Sequence, residues 1–324
     1  MKSRKKIFIL AESVLAILVI MLAFVMIGDK RGESLGKVSV IVRNPDDNKW
    51  SAFKHGLKMA AQDYKIDLMI VSTGDMQTAE DERRIIEQEM KKGVDAVIVE
   101  PIPRTGTMGM LRKLEKDIPI LLIGQGMPEN KEEEQFPVTE PSQSQMGKAL
   151  AEEILKDNNR DLNGKTIGIV SETTDSKSAV QRIDGLRTHL EEAGGKILWS
   201  VSGDFGEVEG EFLSAQPGVD MIAAMDDNSL TMAGKYVSSK ETFDARLYGI
   251  GNSSESIYYL DMEIAECLVV PDEFNVGYQS LTEIAESFLH SSSELTGRDI
   301  SYRSIRQGEL FSGKNQQILF NVSQ

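Results

Sequence analysis

The phrase GVDAVIVEP, Gly93 to Pro101, returns as GVDMIAAMD, Gly218 to Asp226, and the pair decides the fold. Each has a glycine that releases the preceding element, an aspartate that caps a turn, and an apolar run with no polar interruption. An unbroken run of this kind suits a strand buried on both faces, as in a parallel sheet covered by helices. Working outward, KVSVIV (Lys37 to Val42) precedes the first phrase and KTIGIV (Lys165 to Val170) the second. The first strands start 128 residues apart (37 and 165) and the two phrases 125 apart (93 and 218), so one unit is written twice.

Within the first copy the pattern predicts a helix in KWSAFKHGLKMAAQDY, a strand in IDLMIVS and a charged helix in TAEDERRIIEQEMKKG. A helix around GMLRKLEK and a strand in IPILLIG complete it. The second copy gives the helix SAVQRIDGLRTHLEEAGG, the strand KILWSVS and a helix around Glu207 to Ala215. After the second phrase come the helix SLTMAGKYV and the strand ARLYGIG. Strands alternating with amphipathic helices predict an α/β fold. The stretch CLVVPDEFNVGYQSLTEIAESFL adds a strand and a helix outside the repeat, and residues 300–324 read as extended.

The N-terminus sets the compartment. Lys2, Arg4, Lys5 and Lys6 precede an apolar run from Ile7 to Ile27 whose only charge is Glu12. About 20 helical residues span a bilayer core, and basic flanks stay in the cytoplasm, so residues 7–27 are expected to be an uncleaved transmembrane signal anchor. Residues 1–6 are then a cytoplasmic basic segment and 28–36 a linker, with the rest extracytoplasmic. A cleaved signal is the alternative. Glu12 either snorkels or is protonated, or marks contact with another membrane helix.

The net charge is −15, and residues 33–324 carry 30 Lys and Arg against 49 Asp and Glu. Nucleic acid is excluded as a partner, because phosphate binding needs clustered cations. His55, His189, His290 and Cys267 sit at no metal-ligand spacing, so neither metal nor cofactor is expected. Cys267, inside CLVV, is expected to pack in the core. The run PENKEEEQ is expected to be a solvated loop. An enzyme is not expected: GNSSE fails the nucleophile-elbow pattern at its last position, and GQGMPE is no dinucleotide fingerprint.

In open parallel sheets, ligands bind beyond the carboxyl ends of the strands. That rule selects Arg43, Asn44, Asn48, Trp50, Glu100, Arg104 and Gln125 in the first copy. It selects Glu172, Asp175, Arg182, Asp226, Asn228 and Asn252 in the second. Amides, carboxylates and guanidiniums with one indole suit a sugar, whose hydroxyl rim takes hydrogen bonds and whose C–H faces take an aromatic ring.

The ordered series KVSVIV, GVDAVIVEP, IPILLIG, MGKALAEEIL, KTIGIV with QRIDGL, GVDMIAAMDDNSLTMAG, YGIG and VVPDEFNVGY resembles the type I periplasmic-binding-protein family. The resemblance is to its sugar-binding branch, with ribose-binding-like proteins and the effector domains of LacI-type regulators. It implies two Rossmann-like lobes of parallel sheets flanked by helices, joined by three crossovers. The first lobe would be 37–140 plus 272–292, and the second 141–271 plus 293–324. A membrane helix where a regulator would carry a helix-turn-helix disfavours DNA binding. The resemblance also implies sugar stacking for Trp50, against plain packing, and ligand contact for Arg182, against an ion pair on an exposed helix. Gly251 stands where the family often has an acid, which leaves open a ligand other than a simple pentose or hexose, or a lost site. The expected function is a tethered solute receptor closing on a small polar ligand. It would serve an ABC permease or a sensor histidine kinase; a ligand-free interaction module is the alternative.

Overall fold

The structure is a computed structural model that describes residues 34–43, 50–71, 76–102, 104–124, 136–203, 211–239, 245–290 and 294–320. The anchor, the basic segment, the PENKEEEQ run, Asn44, Asn48 and Gln125 lie outside the described residues. Among the described residues no helix is long and apolar enough to cross a membrane.

In chain order the first lobe builds β1 (Gly36–Ile41), α1 (Ser51–Tyr64), β2 (Ile66–Val71), α2 (Ala79–Lys91), β3 (Ala96–Val99), α3 (Thr107–Leu114) and β4 (Ile120–Leu122). A short β5 (Glu140–Pro141) leads to α4 (Gln143–Asp157), β6 (Thr166–Ser171), α5 (Lys177–Glu192), β7 (Lys196–Ser202) and α6 (Glu211–Ser214). Then follow β8 (Met221–Ala224), α7 (Asp227–Ser239), β9 (Arg246–Ile250), α8 (Ser254–Asp261) and β10 (Ala265–Pro271). The last elements are α9 (Glu273–Leu289), β11 (Asp299–Ile300), β12 (Tyr302–Ile305) and α10 (Gly313–Phe320). The ending predicted as extended is therefore strand only as far as Ile305. Beyond it, Leu310, Ile318 and Leu319 bury themselves in the second lobe's core as a 3-10 turn and a helix.

One sheet has the order β2-β1-β3-β4, and the other β12-β10-β9-β8-β6-β7 with only β12 antiparallel. Both repeated phrases hold the same place: β3 pairs with β1 and β8 with β6. Alternation explains their unbroken apolar character. Ala96 and Ile98 enter one core while Val97 and Val99 enter the other, and Met221 and Ala223 oppose Ile222 and Ala224 in the same way.

The aspartates, expected to cap their own turns, reach across to the neighbouring strand instead. Asp95 Oδ2 accepts from Lys37 N at 2.8 Å, and Asp220 Oδ2 from Thr166 N at 2.8 Å, so each fastens the first strand of its sheet. These Thr166 bonds hold the Asp220 carboxyl below its usual range. The glycines differ. Gly93 is left-handed at φ 78° and ends α2, whereas Gly218 follows Pro217 beyond the end of α6 and is not among the positive-φ residues.

The chain passes between sheets three times, at β5, at Pro271–Asp272 and at β11. β5 pairs in parallel with β11, and Asp272 N donates to Ser301 O at 3.1 Å, so the passages lie side by side. The strand-and-helix stretch outside the repeat is thereby explained: β10 completes the second sheet, while α9 packs on α1 beside the first.

Candidate functional site

Both sheets point their carboxyl ends at a common cleft. A cavity of ≈ 210 Å³ between them is lined by residues of both lobes and of the crossovers, and a neighbouring one of ≈ 200 Å³ shares Trp50, Glu100, Gln143, Glu172, Arg182 and Asp226 with it. Of the residues the strand-end rule selects, Arg43, Trp50, Glu100, Glu172, Arg182 and Asp226 line the first cavity. Asn228 and Asn252 line the second. Arg104 and Asp175 line neither and instead face each other across the mouth at 3.6 Å, one from each lobe.

On the first-lobe wall, Glu100 follows β3 and Arg43 follows β1. Glu100 N donates to Ile41 O at 2.9 Å, while its carboxylate accepts from Arg43 N at 3.1 Å and Arg43 Nη2 at 3.5 Å. Trp50 begins α1, is 9% exposed, and its indole donates to Arg43 O at 2.9 Å. Its ring lies 5.4 Å from Phe53, centroid to centroid, tilted by 60°. Most of this indole is packed into the core, although Trp50 also lines both cavities.

On the second-lobe wall, Arg182 from α5 donates through Nε to Gln143 Oε1 at 2.7 Å and through Nη1 to the Met225 carbonyl. Gln143 Nε2 and Ser178 Oγ both donate to Glu140 Oε2 at 2.9 Å. Asp226 Oδ2 accepts from Glu172 N at 2.8 Å and from Ser171 Oγ at 3.3 Å. Its Oδ1 accepts from Ser229 N at 2.9 Å, so Asp226 caps the start of α7 as well as facing the cleft.

Sequence reasoning missed Glu140, Gln143, Asp227 and Glu273, all of which line the cleft. Gln143 and Glu273 open the helices that follow two crossovers, a position the lobe boundaries at 141 and 272 already flag. Asp227 explains Gly251. A Cβ on Gly251 would lie 2.3 Å from Asp227 Oδ1, so the aspartate carboxylate fills the space in which a side chain at 251 would stand. That carboxylate accepts from Ser253 N at 2.8 Å and from Asn252 N at 3.3 Å. Among the described residues no group of His, Cys, Asp or Glu could hold a metal ion. Cys267 is buried, and burial pushes its thiol up to about 12, away from thiolate reactivity.

Two parallel α/β lobes meeting over three crossovers around a polar cleft define a two-lobed solute-binding protein. Residues 38–287 match the family model described as periplasmic binding protein domain, and the chain belongs to that family. No curated protein matches the sequence. Solved structures share the fold at low identity. A glucose-galactose binding protein from Geobacillus stearothermophilus, GanP, is 15% identical with a TM-score of 0.73, covering 86% of this chain and 99% of its own. An ABC transporter solute-binding protein from Agrobacterium vitis, bound to α-D-tagatopyranose, is 12% identical with a TM-score of 0.76, covering 88% and 99%. The XylFII–LytSN complex gives 13% identity and a TM-score of 0.68, covering 84% and 98%.

Proposed function

We propose that the chain is a membrane-tethered extracytoplasmic solute-binding protein whose lobes close on a neutral monosaccharide. The observation that carries this reading is that two planar donor groups, Arg43 from the first lobe and Arg182 from the second, line one cavity together with carboxylates and the Gln143 amide. A ligand touching both walls stabilises the closed form because the open form offers it only one. Among the described residues six carboxylates line the cleft (Glu100, Glu140, Glu172, Asp226, Asp227 and Glu273) against two guanidiniums, both already hydrogen-bonded within the chain. That excess works against phosphorylated or uronic sugars and leaves neutral polyols, which hydrogen-bond carboxylates through hydroxyl donors.

The proposed lobes are 37–140 plus 272–292 and 141–271 plus 293–324. The apolar run 7–27 is the proposed anchor, and tethering suits either delivery to an ABC permease or presentation to a sensor histidine kinase. A relative in fold supports the first output, since it is an ABC transporter solute-binding protein. The second reading, a ligand-free module, rests on Gly251. Asp227 weakens it, because a carboxylate stands at that point of the cleft from the neighbouring strand end.

The test is thermal denaturation of the full chain in detergent against D-glucose, D-galactose, D-arabinose, D-fucose and D-tagatose, with D-glucuronate as the anionic control. Binding raises the midpoint by mass action. A shift with a neutral sugar and none with glucuronate is expected. No shift with any of them would remove the sugar reading in favour of the ligand-free module.

A further inference from the structure

Helix α2 buries a carboxyl directly behind the first-lobe wall. Glu82 is 0% exposed; its Oε1 accepts from Ile102 N at a long 3.4 Å, and its Oε2 has no hydrogen-bond partner. Among the described residues the charged groups that act on it are Glu100, after β3, and Arg43, after β1, and both line the cleft. Arg43 Nε is likewise buried without a partner. Burial, reinforced by the charge of Glu100, pushes the Glu82 carboxyl up to about 8, with the Ile102 N–H and Arg43 pulling the other way. At neutral pH the group therefore carries its proton. An ionised carboxylate in that position would need a counter-charge, and among the described residues the cation that acts on it is Arg43.

We propose that Glu82 is a positioning residue for the first-lobe wall: neutral, it leaves Arg43 committed to Glu100 at the cleft, and ionised, it draws the guanidinium back. The effect on ligand affinity rests on the binding role proposed above for Arg43, but the displacement itself is readable without a ligand. The indole of Trp50 donates to the Arg43 carbonyl, so its emission reports that wall. The stability consequence has a fixed sign. The folded value lies above the ordinary carboxyl value of 4.5, so the stability contributed by neutral Glu82 is complete below about 4.5 and is lost as pH rises to about 8.

The experiment uses the full chain in detergent with Trp199→Phe, which leaves Trp50 as the single indole of two. Trp50 emission is expected to change with a midpoint near pH 8, and Glu82→Gln is expected to abolish that change and flatten the fall of the thermal midpoint between acid and neutral pH. The same transition in Glu82→Gln, or a parent that shows none, would overturn the proposal. Should Glu82→Gln not fold, Glu100→Gln decides. Removing that negative charge must move the Trp50 midpoint to lower pH, and an unmoved midpoint overturns the proposal. Failure of the sugar panel alone removes the binding role of Arg43 and leaves the Trp50 titration to decide on Glu82.

Discussion

On the second-lobe wall Arg182 is tied to Gln143 and to the Met225 carbonyl, Gln143 and Ser178 converge on Glu140, and Asp226 accepts from two backbone N–H groups. On the first-lobe wall Arg43 reaches Glu100 only at 3.5 Å, and its Nε, like Glu82 Oε2 behind it, has no partner. One wall is fixed before any ligand arrives, while the other keeps polar atoms unspent. Fixed donors bind with little ordering cost, whereas a loosely held guanidinium must be ordered by the ligand and offsets part of what it contributes. If the cleft binds as proposed, its prearranged half selects the ligand and its less committed half closes on it.

Both lobes nevertheless share one packing device. Each crosses two helices through facing glycines: a Cβ on Gly56 would lie 2.0 Å from the Phe274 carbonyl oxygen, and one on Gly147 would lie 2.0 Å from the Arg182 carbonyl oxygen. Backbone cannot move aside as a side chain can, so Gly147→Ala is expected to cost at least the upper end of the about 1–3 kcal/mol typical of overpacking. Because the clash falls on Arg182 itself, ligand response should vanish with it. Gly56→Ala should cost as much stability while leaving Arg182 in place. Thermal denaturation of both variants with and without the responding sugar checks this, and a Gly147→Ala protein of parental stability would break the packing argument.

The walls themselves are separated by the two arginines. Arg182→Ala removes charge-assisted hydrogen bonds, worth about 1.5–3 kcal/mol, which is roughly a ten- to hundredfold loss of affinity. Arg43→Ala gives up a longer, half-exposed contact and should cost only a few-fold. Calorimetric titration of both variants decides, and equal losses would mean that the walls do not differ. Asp226→Asn comes next. Asn offers one acceptor oxygen where the carboxylate uses both, so either Glu172 N or Ser229 N loses its partner, and helix capping of this kind is worth about 1 kcal/mol. Chemical denaturation should show that loss without ligand present.

How far the sequence carries can be seen at individual residues. The two sheets were legible because Val97 and Ala223 belong to runs that a parallel interior demands, and the repeat supplied their register. Glu100 was legible as a cleft residue because a strand end fixes where it stands, and Arg182, well inside its helix, because it belongs to the QRIDGL of the resemblance. Glu140 and Gln143 were not, since they enter the cleft only when β5 pairs with β11 and the lobes come together, a contact between residues about 160 positions apart. Gly251 could not be read from the sequence alone, for a reason of volume. A glycine in a sequence says that a side chain is missing, and only the structure shows that Asp227 occupies the hollow. The ending after Ile305 misled because burial in the second lobe, not local pattern, makes it helical.

The smallest effect lies at the mouth of the cleft, where the two walls touch directly. Arg104 and Asp175 are 52% and 63% exposed and meet at 3.6 Å, so solvent screens them and the pair is worth about 0.2–1 kcal/mol. That range amounts to at most about a fivefold change in an equilibrium constant, well below the expected effect of Arg182. Its position gives the pair a kinetic signature, because a contact made between lobes holds the closed form and not the open one. Asp175→Asn should therefore raise the rate of ligand release by a small factor and leave the association rate nearly unchanged. The difference between parent and variant should shrink as salt is added. Stopped-flow release measured at low and high ionic strength checks both statements. A variant whose release rate and salt dependence match the parent would show that closure is carried by the walls alone, with the rigid second lobe and the compliant first lobe needing no latch between them.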